Sequence, residues 1–339
     1  MDNKTTRRDF LKTCGMLGMG AAAVSFMPLA AEAATLGVNH KVTKTAALMG
    51  TYVAITAIDP SKNRAEEAIG RAFEEIQRLT AVFSRYDSAT PVSVLNRDGN
   101  VSGIPAELAT VMDRAQRLHA LTDKAFDITV APVVDMFQAK ARAGHKLELS
   151  HDELANAMHL VNADNVTRTG DTVRFARSGM KVSLDGIAKG FIVDSASDVM
   201  ASLGVANHMI NAGGDICARG EKALGSPWKI AVEDPKQQGR YPDVIALRDG
   251  AVATSGNYQV YFDRDKLFHH IVNPMSGRSP LESVSVSVTA ATVMEADALA
   301  TSVYVMDPAR GLAFINELPG RECLIIAQTG AKLPSRRWA

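Results

Sequence analysis

From residue 64 to residue 83 the apolar side chains Ala68, Ala72, Phe73, Ile76, Leu79 and Phe83 recur every three or four positions. That is the repeat of a helix burying one stripe. The second half of the chain follows another rule, with short apolar runs ended by Gly, Pro, Asn or Asp, which read as strands. A chain holding both patterns packs helices on sheet, and their order decides how. Helical spacing returns at 105–121 behind Pro105, at 151–159 behind a Ser150/Glu153 capping box, at 188–203 before Gly204, and at 293–304. Strands are predicted at 46–58, interrupted by Gly50, and at 172–176 and 180–184. A run follows at 207–211, 228–233, 243–247, 258–263, 267–272 and 283–290, then a closing pair of elements. Strands arriving in runs pair antiparallel, so the expected class is α+β, largely antiparallel sheets with packed helices, and not a doubly wound sheet. The stretch 218–227 reads as a loop, and no internal repeat is found.

The N-terminus reads as an export address. Arg7 and Arg8 precede Phe10 and Leu11 at the spacing of a twin-arginine signal, and Ala31-Glu32-Ala33 fits a small-x-small cleavage site. Residues 1–33 are therefore expected to be a cleaved signal and 34–339 one mature domain working in the periplasm, with any membrane association peripheral. The apolar stretch from Met16 to Leu29 contains Gly18, Gly20 and Pro28 and falls short of the roughly 20 residues a span needs. Cys14 lies before that stretch, which argues against a lipoprotein. Export by this route usually carries folded protein and so hints at a metal or cofactor loaded inside. Lys plus Arg and Asp plus Glu each number 37, without a basic tract, so no nucleic-acid partner is expected. No later apolar run approaches a membrane span. Cys217 and Cys323 lack metal-ligand spacing and are expected as buried free thiols in preference to a disulfide.

Several segments could carry chemistry. Thr292 and Glu295 form a capping box, and Asp297 and Thr301, four residues apart, share a face of the helix they start. A carboxylate and a hydroxyl among Ala298, Leu299, Ala300 and Val303 are costly to bury without a partner, and hard oxygens suit Mg²⁺. Taken alone, the pair reads more simply as an Asp favoured by the helix dipole and a Thr bonded to the preceding turn. Asn211-Ala212-Gly213-Gly214-Asp215 follows an apolar strand, and its glycines permit positive φ and close backbone approach to a ligand, or a plain tight turn. Ala253-Thr254-Ser255-Gly256 reads as a second turn, with hydroxyls able to meet phosphate. In Ser183-Leu184-Asp185-Gly186-Ile187-Ala188-Lys189-Gly190, a strand passes into a helix, and Lys189 can reach an anion as a point charge or stand solvated. His269 and His270 sit in a predicted strand, so at most one of them faces a site, where it could accept a proton.

Together these segments resemble the ApbE family, the FAD:protein FMN transferases. The resemblance runs in family order through Met49-Gly50-Thr51, Phe83-Ser84-Arg85-Tyr86, Ala125-Phe126-Asp127-Ile128-Thr129, I-A-K-G at 187–190 and N-A-G-G-D at 211–215. It continues through A-T-S-G at 253–256, H-I-V-N-P at 270–274 and A-D-A-L-A-T at 296–301. Eight matches in order outweigh the simpler reading of Asp297 and Thr301.

The resemblance implies an ApbE-like fold and Mg²⁺ held by Asp297, Thr301 and a backbone carbonyl at or near Gly186. It implies FAD contacts from Met49, Tyr86, Ala125, Phe126, Asp127, Lys189, the 270–271 strand with Ile271, and position 183. Where the family often reads Asp-Leu-Gly before I-A-K-G, this chain has Ser183-Leu184-Asp185, so the contact made by that first Asp falls here to Ser183 or Asp185. The expected reaction is Mg²⁺-dependent transfer of FMN from FAD to a Thr or Ser hydroxyl of an exported protein, releasing AMP. His270 is the expected base, with Lys189, Ser255 and the Gly213–Gly214 backbone positioning FAD. The implied partner carries a D-G-(S/T)-G-A-T-like acceptor motif, as a flavin-carrying redox subunit would. Two alternatives use the same residues: a Mg²⁺-dependent FAD pyrophosphatase giving FMN and AMP, and a flavin-binding protein without turnover.

Overall fold

The computed structural model describes residues 39–143, 149–235, 241–257, 261–263 and 267–338. The expected signal at 1–33, its cleavage site and Cys14 lie outside the described residues.

Strands β1 (His40–Leu48) and β2 (Thr51–Asp59) form a hairpin in register from Leu48↔Thr51 to His40↔Asp59. The expected single strand over 46–58 is therefore two strands. Its interruption at Gly50 is a two-residue turn in which Met49 and Gly50 both take positive φ, +52° and +73°, as primed hairpin turns require. Helix α1 (Lys62–Phe83) follows, with Ser61 accepting the Arg64 N–H and the expected stripe buried. The short helix α2 (Pro91–Asp98) starts at a Thr90 cap with Pro91 in its first turn, a signal overlooked in the sequence because eight residues give too few repeats to show a period.

After the two-residue strand β3 (Asn100–Val101) come α3 (Ala106–Leu121), α4 (Ala131–Arg142) and α5 (His151–Met158). The Ser150/Glu153 capping box on α5 is complete in both directions. Strands β4 (Val166–Thr169) and β5 (Thr172–Phe175) pair across Gly170, and β3 adds to β5. The expected partner strand at 180–184 is not one. Its backbone groups are met singly: Val182 N–H donates to Asn96 Oδ1 at 2.7 Å, and Ser183 N–H donates to Ile128 O at 2.7 Å. Such spaced, side-chain-supported bonds hold an extended segment between elements without a ladder.

Helix α6 (Ala188–Ser202) leads into β6 (Asn207–Ala212), β7 (Asp215–Arg219), β8 (Trp228–Ala231), β9 (Val244–Leu247), β10 (Gly250–Gly256) and β11 (Ser283–Ala290). Helices α7 (Val293–Val305) and α8 (Pro308–Asn316) and strands β12 (Glu322–Ala327) and β13 (Lys332–Pro334) close the chain. Eight strands make one antiparallel sheet in the order β1-β2-β6-β7-β10-β11-β12-β13, so the α+β expectation holds. One face carries Val53, Ile55, Ile210, Ala253, Val286 and Ile325, packed with α1, α6 and α7 in the main core. The other presents Ile216, Val252 and Leu324 to Ile230 and Ile245 of the β8–β9 ribbon.

Two further expectations are corrected. Ala253–Gly256 is the body of β10, not a turn, because each residue pairs with β11. Residues 267–272 form no strand; among the described residues His269 makes a single bridge to Tyr261, and its N–H goes to Ser279 Oγ. Cys217 and Cys323 are buried free thiols, on β7 and β12 with β10 and β11 between them. Three strand spacings place them roughly 14 Å apart, beyond the reach of a disulfide.

Candidate active site

Two hairpin tips meet at one end of the large sheet. The β6–β7 turn is Gly213-Gly214, with φ +64° and +101°, and it closes the pair Ala212↔Asp215. Gly213 abuts the side chain of Thr51, the first residue after the Met49-Gly50 turn, and a Cβ at 213 would collide with it. Here the glycine is needed both for its positive φ and for a close approach. Asn211 Oδ1 accepts the Gly214 N–H at 3.0 Å and fixes the tip.

Against these tips lie the start of α6 and the middle of α7. Lys189, in the first turn of α6, places Nζ 2.8 Å from Asp215 Oδ2. The lysine is 31% exposed and the aspartate almost fully buried. The expected alternative of a solvated Lys189 is thereby excluded. Burial works against its charge, but Asp215 and then Asp297 hold its proton more tightly than usual. Burial pushes Asp215 up, opposed by Lys189 and by a backbone donor at Thr254.

Asp297 is buried and faces α6, where Gly190 N–H donates to its Oδ2 at 3.2 Å. One turn on, Thr301 Oγ1 is 3.2 Å from Ser255 Oγ of β10 and 3.0 Å from where a Cβ on Gly186 would stand. Asp297, Thr301, Ser255 and the Gly186 backbone thus converge from α7, β10 and the 183–187 segment. Burial first, and then the charges of Asp215 and Asp185, push the Asp297 carboxyl well up, against the pull of Lys189 and the Gly190 N–H. A cation placed beside a carboxyl in that setting would offset the cost of burying its charge.

The surroundings therefore fit a hard cation. They offer one carboxylate and two hydroxyls beside the Gly186 backbone, a donor set suited to Mg²⁺ and poor for a soft metal. Among the described residues no group of three or more His, Cys, Asp or Glu side chains is arranged to hold a metal. An ion here would rely on few protein ligands, which Mg²⁺ tolerates by keeping water and phosphate oxygens.

The remaining expected residues lie on other segments. Ser183 is pinned to Ile128, next to Ala125, Phe126 and Asp127, and its Oγ accepts the Asp185 N–H at 3.3 Å. The Asp127 carboxylate is consumed by the fold, accepting from Thr129 N at 2.7 Å, Thr129 Oγ1 at 2.5 Å and Ala163 N at 3.0 Å. What the 125–127 segment can offer a ligand is its backbone and apolar surface. Tyr86 is 63% exposed, under an Arg85 guanidinium that is itself held 2.7 Å from Asp135. Met49 occupies the β1–β2 tip, joined to the cluster through Thr51 and Gly213.

The two histidines differ in burial, though not by strand alternation, since 267–272 is no strand. His269 is fully buried, with Nε2 2.9 Å from Pro280 O and its ring against Tyr261 and Tyr304. Burial pushes it down to about 4, so it stays neutral and structural. His270 is exposed, and Ile271 beside it is buried. Because His269 packs on Tyr304, three residues beyond Thr301, the 269–271 segment is tied to the helix that carries the cation-fitting oxygens.

Sequence reasoning missed Asp215 as the partner of Lys189, although N-A-G-G-D ends on it. It also missed the reason for Gly190. A Cβ there would stand 2.5 Å from Val293 O and 2.6 Å from Met294 Cα and N, so α6 and α7 touch backbone to backbone. No one-dimensional pattern announces a contact between residues a hundred positions apart.

The ApbE family profile matches residues 49–325. The FAD:protein FMN transferase of Vibrio cholerae is 33% identical over 274 residues, covering 79% of this chain and 81% of that protein. The protein of the same name from Haemophilus influenzae is 31% identical over 302 residues, covering 83% and 86%. Among solved structures, the flavin transferase ApbE from Vibrio cholerae superposes with a TM-score of 0.78 at 29% identity, over 88% of this chain and 98% of that one. The ApbE protein from Thermotoga maritima gives 0.80 at 29% identity, over 88% and 97%.

Proposed function

The chain belongs to the ApbE family, and from that membership we propose that it is a FAD:protein FMN transferase that joins FMN to a hydroxyl of an exported protein. The observation that carries this reading is the convergence of Asp297, Thr301, Ser255 and the Gly186 backbone beside the Lys189–Asp215 pair. A diphosphate needs both halves: hard oxygens for a cation and a fixed positive charge for its own oxygens.

In this reading FAD lies with its diphosphate across the start of α6. Asp297, Thr301 and a carbonyl at Gly186 would hold Mg²⁺. Bound there, the ion supplies charge neutralisation for the phosphoryl oxygens and the departing phosphate. Lys189, kept protonated by Asp215, faces the same oxygens. The Gly213–Gly214 tip, free of side chains, lets backbone approach the ligand closely, and Ser255 offers a further hydroxyl. Tyr86, Met49, Ser183, Ile271 and the Ala125–Asp127 strip line the flavin and adenosine ends. A Thr or Ser hydroxyl of the acceptor attacks the phosphorus next to riboflavin and gives its proton to His270. The bond to the AMP oxygen breaks, leaving the acceptor as a phosphodiester of FMN. Because burial holds His269 neutral and its Nε2 is spent on Pro280 O, His270 is the one of the pair suited to take a proton.

The acceptor is proposed to carry a D-G-(S/T)-G-A-T-like motif within an exported, flavin-carrying redox subunit. The Arg7–Arg8 signal supports twin-arginine export to the periplasm. No helix among the described residues is long and apolar enough to cross a membrane.

The test combines purified protein, FAD, Mg²⁺ and an acceptor domain bearing that motif, then looks for flavin fluorescence on the denatured acceptor. Fluorescence that requires Mg²⁺ and the motif hydroxyl supports transfer. Accumulating AMP and free FMN would replace it with a pyrophosphatase, and stoichiometric FAD without AMP with a binding protein.

A further inference from the structure

The first turn of α7 has its backbone donors satisfied in an unusual way. Thr292, at the N-cap, takes the Glu295 N–H at 3.3 Å and with its carbonyl the Ala296 N–H at 3.1 Å. The two donors between are met from another helix. Asp194 of α6 accepts the Val293 N–H on Oδ1 at 2.8 Å and the Met294 N–H on Oδ2 at 2.9 Å. A helix start normally leaves such groups to water or to its own cap. Here a side chain nearly a hundred residues away supplies both acceptors, with its charge at the positive end of the helix dipole.

Asp194 lies one turn beyond Gly190, on the face of α6 that touches α7. Gly190 brings the two backbones together and donates to Asp297. Asp194 sets how far along and around its axis α7 sits, because two short bonds to successive N–H groups fix both. Lys189, next to Gly190, belongs to the anion side of the site, and Asp297 and Thr301 to the cation side. The Asp194 clamp thus sets the relative position of the two sides.

We infer that Asp194 is a positioning residue for the cation site: by clamping the start of α7 to α6 it holds Asp297 and Thr301 at the distance from Lys189 that the bound ion requires. This rests on the metal reading above. Asp194 does not touch the ion, and its effect runs through the placement of α7.

Mn²⁺, read by the loss of its free electron paramagnetic resonance signal, is the probe of metal affinity. Quenching of FAD fluorescence in EDTA reads flavin affinity separately. Asp194→Asn keeps the size of the side chain but offers one acceptor to two donors. It is expected to weaken Mn²⁺ about tenfold while FAD affinity stays within twofold of the unaltered protein, and Asp194→Ala to weaken Mn²⁺ further. Asp198→Asn, one turn on, removes an exposed carboxylate paired with Arg219 and should change neither affinity. Unchanged Mn²⁺ affinity in Asp194→Asn, whatever its melting temperature, would overturn the inference. So would equal losses of Mn²⁺ and FAD affinity, the mark of general loosening. Unaltered protein that binds no Mn²⁺ would instead overturn the metal reading itself, and the inference with it.

Discussion

Replacing a helix-interior glycine by alanine ordinarily stabilises a helix, by roughly 0.5–1 kcal/mol. At Gly190 the opposite is expected. The new Cβ would stand 2.5 Å from Val293 O and 2.6 Å from two backbone atoms of Met294. Ordinary contacts lie at about 3.5–4.0 Å, so α6 and α7 must part by about 1 Å. The atoms in the way are backbone, so no rotamer change relieves them. Overpacking of this kind costs about 1–3 kcal/mol, and stretching the Gly190 N–H to Asp297 bond adds to it. A net loss of about 3 kcal/mol would lower the melting temperature of a domain of about 300 residues by roughly 5 °C. Gly70, inside α1, is the matched control: a Cβ there meets nothing within 4 Å, so Gly70→Ala should melt at or slightly above the unaltered protein. Calorimetry on the three proteins, with Mn²⁺ titration as a second readout, measures the gap. If Gly190→Ala melts with Gly70→Ala, the backbone contact between α6 and α7 does not exist, and the account of why Asp297 faces Lys189 fails with it.

Asp297→Asn should abolish metal binding, yet melt at or above the unaltered protein in EDTA at pH 8. The native carboxyl is pushed up by burial and by Asp215, so its ionisation weakens the metal-free fold as pH rises through its folded value. Mg²⁺ at a hundred times its dissociation constant should then stabilise only the unaltered protein, by about 2.7 kcal/mol. His208 is buried between Ser197 Oγ and Val205 O, each 2.8 Å away, and burial pushes it down to about 4. Its contribution is complete above about pH 6.5 and is lost as pH falls, because the unfolded chain protonates first. By pH 5 the loss is about 2 kcal/mol, so His208→Asn should show a pH 7-to-5 decline smaller by about that amount in urea titrations. His270→Ala should slow flavin transfer at least a hundredfold with FAD affinity intact. His269→Ala, which empties a buried ring site beside Tyr304, should instead cost about 3 kcal/mol of stability. The reverse pattern of activity and stability in the two variants would exchange their roles.

Much of the architecture was legible along the chain. The stripes of α1, α3, α6 and α7 appear in place because a helix writes its buried face at a fixed local period, and Ser150 and Thr292 mark starts through bonds three residues long. Strands were harder. The segments 180–184 and 267–272 have strand-like composition but no ladder, since a strand exists only where a partner pairs with it. Ala253–Gly256 erred the other way, its Ser and Gly suggesting a turn where β11 makes a strand. The Thr292/Glu295 capping box formed by half: the Thr292 hydroxyl serves, but the Glu295 carboxylate turns to Arg321 at 2.8 Å and Arg114 at 3.3 Å.

For the site, the sequence by itself determined the chemical inventory: the Asp297–Thr301 spacing on one helix face, the glycine pair able to take positive φ, a lysine opening a helix, and adjacent histidines. These are local properties, set within a turn of helix or a hairpin tip. Only the tertiary structure decided which groups meet. Asp215 holds Lys189, Ser255 meets Thr301, Asp127 turns inward, and Gly190 and Asp194 seat α7 against α6. Burial and charge at each group come from neighbours remote in the chain, so the same Asp-x-x-x-Thr on an exposed helix would be an ordinary solvated pair.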